Sequence, residues 1–140
     1  MEKWLLYAFL SMFFAGFTSV AAKAGLNGIS SELGLAVRTL FVCVFVILFS
    51  MFHVSVQDVK GVALTNLAGL GFSAAATALS WVFFYKALKI GDVATVSLID
   101  KGSIIIAIIL AWLLLKEPIT PRIIAGLMLV LSGLIVISYK

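Results

Sequence analysis

Residues 93–137 read VATVSLIDKGSIIIAIILAWLLLKEPITPRIIAGLMLVLSGLIVI, and this stretch decides the fold. It holds two long apolar runs divided by one polar break. Lys116, Glu117 and Pro118 make the break, because a proline cannot continue the hydrogen-bond ladder of the helix before it. Thr120 and Pro121 then supply an N-cap and a proline at the first helical position. A bilayer-crossing helix uses about 20 mostly apolar residues, and the two runs are read as membrane spans over residues 93–115 and 123–138.

Working back toward the N-terminus, the same pattern recurs three times, over residues 62–85, 33–54 and 4–24. Trp4 and Tyr7 open the first span with rings that favour the headgroup level. A turn of Asn27, Gly28, Ser30 and Ser31 follows, in which Ser31 is placed to cap the second helix. A polar link with His53, Gln57, Asp58 and Lys60 joins spans two and three, and Lys86, Lys89, Gly91 and Asp92 join spans three and four. No linker, low-complexity tract or internal repeat interrupts the series. The expected architecture is all-α, a bundle of five transmembrane helices forming one domain over residues 1–140.

Composition agrees with that architecture. The 140 residues are 64% hydrophobic and 11% charged, whereas soluble domains run about 45–50% apolar and about 25% charged. A soluble globular domain is excluded. The start of the chain mimics a secretory signal, with Lys3, an apolar stretch and the small residues Ala22 and Ala24. The run from Trp4 to Val20 is longer than a signal's apolar core and further spans follow, so it is expected to be a retained first span. The net charge of +4 is spread along the chain, which suits anionic lipid and argues against nucleic acid as a partner. The single cysteine, Cys43, can form no internal disulfide.

Catalytic and cofactor patterns are absent from the sequence. The lone His53 has no Cys or carboxylate at metal-ligand spacing, and there is no phosphate loop, nucleophile elbow or paired-acid motif. No enzyme activity, cofactor or metal is expected.

Orientation follows from the Lys and Arg distribution, which normally shows an excess on the cytoplasmic side. With five spans, Lys3, Lys60, Lys116 and Arg122 fall on one side, and Lys23, Lys86, Lys89 and Lys140 on the other. Arg38 and Lys101 lie inside spans that begin on the second side. Such a balance permits insertion in both orientations; the alternative is one orientation, N-out and C-in, set by the two embedded charges.

Embedded charges need a partner or a watery cavity. Arg38 lies roughly 8 Å into span two and Asp100 roughly 11 Å into span four at 1.5 Å per residue, both counted from the same membrane face. An ion pair between them is geometrically possible. Lys101 is not expected to satisfy Asp100 directly, because neighbouring helical positions point about 100° apart. With Lys23 these residues form an expected polar cluster, net positive, suited to an anionic or zwitterionic solute. The competing account is that Arg38 and Asp100 neutralise each other to lock helix packing while Lys23 and Lys101 snorkel to the headgroups.

Span three carries Asn66, Ser73, Thr77 and Ser80 at helical spacing, a polar stripe that ends near Trp81. Ser73, Thr77, Ser80 and Trp81 are candidate substrate contacts, although Ser and Thr often bond only within their own helix. Gly126 and Gly133 flatten one face of span five for close helix packing and are the expected dimer contact.

Four short motifs resemble one known pattern: YKAL-x-x-GD at Tyr85–Asp92, IDK-x-S at Ile99–Ser103, LLLKE-x-IT at Leu113–Thr120 and AVRT at Ala36–Thr39. Together with the glycine-bearing last helix they resemble the EamA domain of the drug/metabolite transporter superfamily, especially its small five-span bacterial members. The resemblance implies half of an inverted-repeat transporter. It further implies a homodimer, antiparallel when both orientations insert, that moves a small metabolite or drug across the inner membrane by alternating access. Arg38, Asp100, Lys101 and Glu117 fall on motif positions. Alternatives are a flippase for a lipid-linked or amphiphilic substrate and a non-transporting accessory subunit. One departure is Leu98, where small relatives often carry a proline before the aspartate, which bears on the bend of span four. Another is that span one offers only Glu2, at its very end, where four-span relatives use a membrane-embedded glutamate for proton antiport.

Overall fold

The computed structural model describes residues 3–138, so Glu2 and Lys140 lie outside the described residues. Every regular element among them is helical, and the chain divides into two compact units, one running to Ile90 and one starting at Gly91.

In the first unit, α1 (Lys3–Gly25) and α2 (Ser31–His53) are followed by the short α3 (Val56–Lys60) and the long α4 (Leu64–Ile90). The turn after α1 uses Gly28 at φ +77°, a left-handed conformation that a residue without Cβ adopts freely. Ser30 caps α2: its backbone is extended and its hydroxyl accepts from Leu33 N–H at 3.2 Å. This corrects the expectation for Ser31, which is already helical and instead donates its hydroxyl to Glu32 at 3.0 Å. The link after α2, expected as plain polar chain, forms one helical turn because Ser55 and Asp58 cap each other reciprocally.

Helix α4 runs to Ile90, five residues past the expected end at 85. Lys86, Ala87, Leu88 and Lys89 all favour helix, so their charges mark the edge of the apolar zone and not the end of the helix. α1 and α2 both pack on α4, α2 more extensively, and make little direct contact with each other.

In the second unit, α5 (Val93–Asp100) starts from an Asp92 cap whose carboxylate accepts from Thr95 N–H at 2.8 Å. α6 (Ser103–Leu110) follows and widens into a π turn over Ala111–Leu115. Lys116 ends that turn in a left-handed conformation, φ +56°. α7 (Pro121–Ser138) begins as expected, with Thr120 Oγ1 accepting from Ile123 N–H at 3.4 Å.

The expected fourth span, residues 93–115, is interrupted between α5 and α6. There the backbone tightens: Lys101 N–H reaches Leu98 O at 3.1 Å and Gly102 N–H reaches Ile99 O at 2.9 Å. Gly102 lies so close to α7 that an added Cβ would stand 3.1 Å from Leu134 Cδ1 and 2.9 Å from Ile99 O. The interruption therefore follows Asp100 and uses a glycine, with no proline before the aspartate.

Side-chain burial identifies the solvent. Phe52, Phe72 and Leu64 are 83%, 79% and 81% exposed, and the buried apolar residues among those described are Leu26, Tyr85 and Leu88. Water cannot solvate such a surface; lipid hydrocarbon can, provided the backbone is bonded internally, as it is in helices. Four stretches, 3–25, 31–53, 64–90 and 93–115, are long and apolar enough to cross a bilayer. The 18 residues of α7 rise about 27 Å at 1.5 Å per residue, just short of a hydrocarbon core of about 30 Å. The chain is an α-helical, multi-pass membrane protein.

Candidate functional site

Because α1 and α2 meet on α4 and scarcely on each other, a cleft of about 400 Å³ opens between them in the first unit. Its wall includes Ala22 of α1, Leu26 just after that helix, Val37, Phe41 and Phe45 of α2, and Tyr85 of α4. Arg38 is the one charged residue in the lining. It sits seven residues into α2, so about 10 Å from the helix start at 1.5 Å per residue.

One contact and one unused donor define the state of Arg38. Its guanidinium carbon stands 4.3 Å from the centroid of the Trp81 ring on α4, a cation–π arrangement. Its Nη1 is shut off from solvent and has no hydrogen-bond partner. The ring quadrupole helps to hold the charge in place, yet it accepts no hydrogen bond in the guanidinium plane. A half-buried cation with an unused donor beside an apolar cleft has the chemistry to pair with an anionic group.

The lysines serve a different purpose. Lys23 Nζ donates to the carbonyls of Leu88 and Lys89 at the end of α4, and Lys89 Nζ donates to Leu26 O and Ile29 O, both at 2.7 Å, just beyond the end of α1. Lys23 therefore satisfies carbonyls in the last turn of α4, and Lys89 those of the turn that follows α1, both places where the helix dipole favours positive charge. Lys23 turns inward to the protein, not outward to headgroups as the snorkelling account has it. A third cross-link, Lys86 to Glu32 at 3.7 Å, borders a smaller hollow of about 260 Å³ on the α2–α4 seam.

The remaining expected contacts on α4 are placed differently. Ser73, Thr77 and Ser80 are exposed, and the Thr77 hydroxyl is spent on its own helix, donating to Ser73 O at 2.8 Å. Trp81, half-buried, is the member of that stripe brought to Arg38.

In the second unit, Lys101 Nζ lies 3.8 Å from Asp100 Oδ2. The pair was not expected for adjacent helical positions. It forms because α5 ends at Asp100 and Lys101 is the residue after it, from which a long flexible stem can fold back. One turn earlier on α5, Ser97 Oγ is buried without a hydrogen-bond partner. Cβ atoms built on Gly126 and Gly133 of α7 would meet nothing within 4 Å.

Sequence reasoning missed Tyr85, Phe41 and Glu32. No pattern marks Phe41, which looks like any aromatic in a span, and Tyr85 opens the YKAL-x-x-GD motif without anything there to give it a place in the cleft. Glu32 did leave a signal, an acidic residue in the first turn of a helix. Outside the spans, hydrogen bonds from the Ser55 hydroxyl and amide hold the Asp58 carboxyl below its ordinary range. Bonds from Thr95 do the same for Asp92.

Comparison with known proteins agrees with this architecture. Residues 2–139 match the EamA-like transporter family. A Sinorhizobium protein described as "Uncharacterized transporter in cobO 3'region" is 28% identical over 137 residues, covering 98% of this chain and 97% of its own. No solved structure matches the chain. This is a family of transporters and not of enzymes, and with its match extending over nearly every residue the chain belongs to the EamA-like transporter family.

Proposed function

We propose that this membrane transporter is a permease of the inner cell membrane that moves a small anionic or zwitterionic solute by alternating access. The observation that carries the proposal is Arg38: a cation held over Trp81, with Nη1 unpartnered, on the wall of a 400 Å³ cleft. That volume lies within the range of small-molecule sites, about 300–1,000 Å³. Asp100 and Lys101, at an interruption within a span, are proposed as further solute or coupling-ion contacts, since discontinuous helices are where transporters commonly bind substrates and ions.

In this proposal the chain has five spans, α7 being the shortest, and works as an antiparallel homodimer. The open faces at Gly126 and Gly133 support α7 as the dimer contact, and the balance of Lys and Arg across the links supports insertion in both orientations.

The test is a thermal-stability screen of purified protein against carboxylates, amino acids and phosphorylated metabolites. A ligand at one hundred times its Kd stabilises the native state by about 2.7 kcal/mol. The stabilising solute should then be taken up by proteoliposomes containing the wild type, with Arg38→Ala losing at least tenfold in rate. Full recovery in a variant that exchanges Arg38 and Asp100 would make the two a structural pair instead.

A further inference from the structure

The α1–α2 cleft has two properties that a fully water-soluble anion does not require. Its wall is nearly all hydrocarbon, and the hydroxyl of Thr18, one of its few polar groups, is spent on its own helix, donating to Ala15 O at 2.7 Å. Its mouth is apolar too, with Phe41 and Phe45 58% and 67% exposed. Phe41 and Phe45 stand three and seven positions after Arg38 on α2, hence along one face of that helix. From Arg38 to Phe45 the helix advances about 10 Å, at 1.5 Å per residue, away from the α2 N-terminus.

An inorganic anion would pair with Arg38 and leave this wall unfilled. Hydrocarbon alone would fill the wall and leave the guanidinium unpaired. An occupant that satisfies both has one anionic group and an apolar body, the body extending along α2 from Arg38 toward Phe45.

We propose that the cleft binds a small single-headed amphiphilic anion, an alkyl or aryl carboxylate, with its carboxylate on Arg38 and its apolar body along Phe41 and Phe45. Entry is sideways, between α1 and α2, where neither helix covers the other. This names the substrate class for the transporter site proposed above and rests on that reading.

The test uses a variant carrying Trp4→Phe and Trp112→Phe, which leaves Trp81 beside Arg38 as the fluorophore, in phosphatidylcholine nanodiscs. Decanoate is the probe, with acetate and decanol as its charge-only and chain-only counterparts. Decanoate should change Trp81 emission saturably, and acetate and decanol should need at least tenfold higher concentrations. Arg38→Gln should weaken decanoate at least tenfold and Arg38→Lys less. Ala22→Phe, which fills the cleft and leaves Arg38 in place, should abolish the response; unfolding temperatures within a few degrees of the parent's show that each variant is folded.

Equal affinity for acetate and decanoate overturns the amphiphile and leaves a small-anion transporter standing. An Arg38→Gln response like the parent's overturns the charge contact. Loss of decanoate binding when one third of the lipid is phosphatidylglycerol makes a bilayer lipid the occupant and overturns the proposal. Failure of the transporter reading is seen separately, as binding without uptake of any stabilising solute by proteoliposomes.

Discussion

Single side chains in this protein divide by what their charge meets. Arg38 meets an aromatic face and an apolar cleft, whereas Lys23 and Lys89 meet backbone carbonyls at the ends of α4 and α1. Hydrogen bonds from a charged donor contribute about 1.5–3 kcal/mol each. Lys23→Ala and Lys89→Ala should each destabilise the protein by about that much. The double variant should lose less than the sum, since both side chains tie the same two helix ends. Denaturation of the four proteins in mild detergent reads the coupling, and strict additivity would sink the idea of a shared clamp. The caps Asp58 and Asp92 titrate below the ordinary carboxylate value because hydrogen bonds favour their charged forms. A lowered folded-state pKa gives stabilisation that is present above the unfolded value and lost as pH falls through the folded one. Amide protection in α3 and the first turn of α5 should therefore hold from neutral pH down to about 4 and fall below it. Hydrogen exchange at a series of pH values checks this, with Asp58→Asn and Asp92→Asn expected to flatten the profile.

At the level of elements, the interruption after Asp100 depends on one glycine. A side chain at Gly102 would crowd both the Ile99 carbonyl, which is backbone, and Leu134 of α7. Gly102→Val should cost about 1–3 kcal/mol, the usual range for overpacking, and should separate α5 from α7. Gly102→Ala should cost less, and Leu134→Ala combined with Gly102→Val should recover part of the loss. Thermal unfolding of the three variants measures it. The sequence announced the caps of this unit, Thr120 with Pro121, because capping is a local preference of a few residues. It marked the place in span four with two charges, Asp100 and Lys101, but not the role of Gly102, because nothing in IDKGS distinguishes a glycine that is crowded by a neighbouring helix from one that is not. The same limit explains α4: the charges of Lys86 and Lys89 end the apolar run on schedule, but the helix continues because hydropathy and helix propensity are separate properties.

For the whole molecule, the proposed antiparallel homodimer specifies how many copies assemble and which way each inserts. Single cysteines along α7 in a Cys43→Ala background should give cross-linked dimers at positions flanking Gly126 and Gly133; absence of cross-links along the entire helix would exclude α7 as the contact. Reporter fusions at both termini should show each terminus on both sides of the membrane, and a single strong orientation would rule out the antiparallel assembly. The sequence by itself determined the solvent, the apolar helices, most of their limits and the family, since all of these rest on composition, periodicity and short motifs. Arg38 and Trp81 were also legible as candidates, one as a charge in an apolar run and the other as the aromatic end of a polar stripe. Only the tertiary structure decided what each charge touches. Arg38 and Trp81 are 43 positions apart in the chain and Lys23 and Leu88 are 65 apart. Such meetings depend on how helices pack, which is set by the summed fit of many apolar side chains and not by the residues that finally meet.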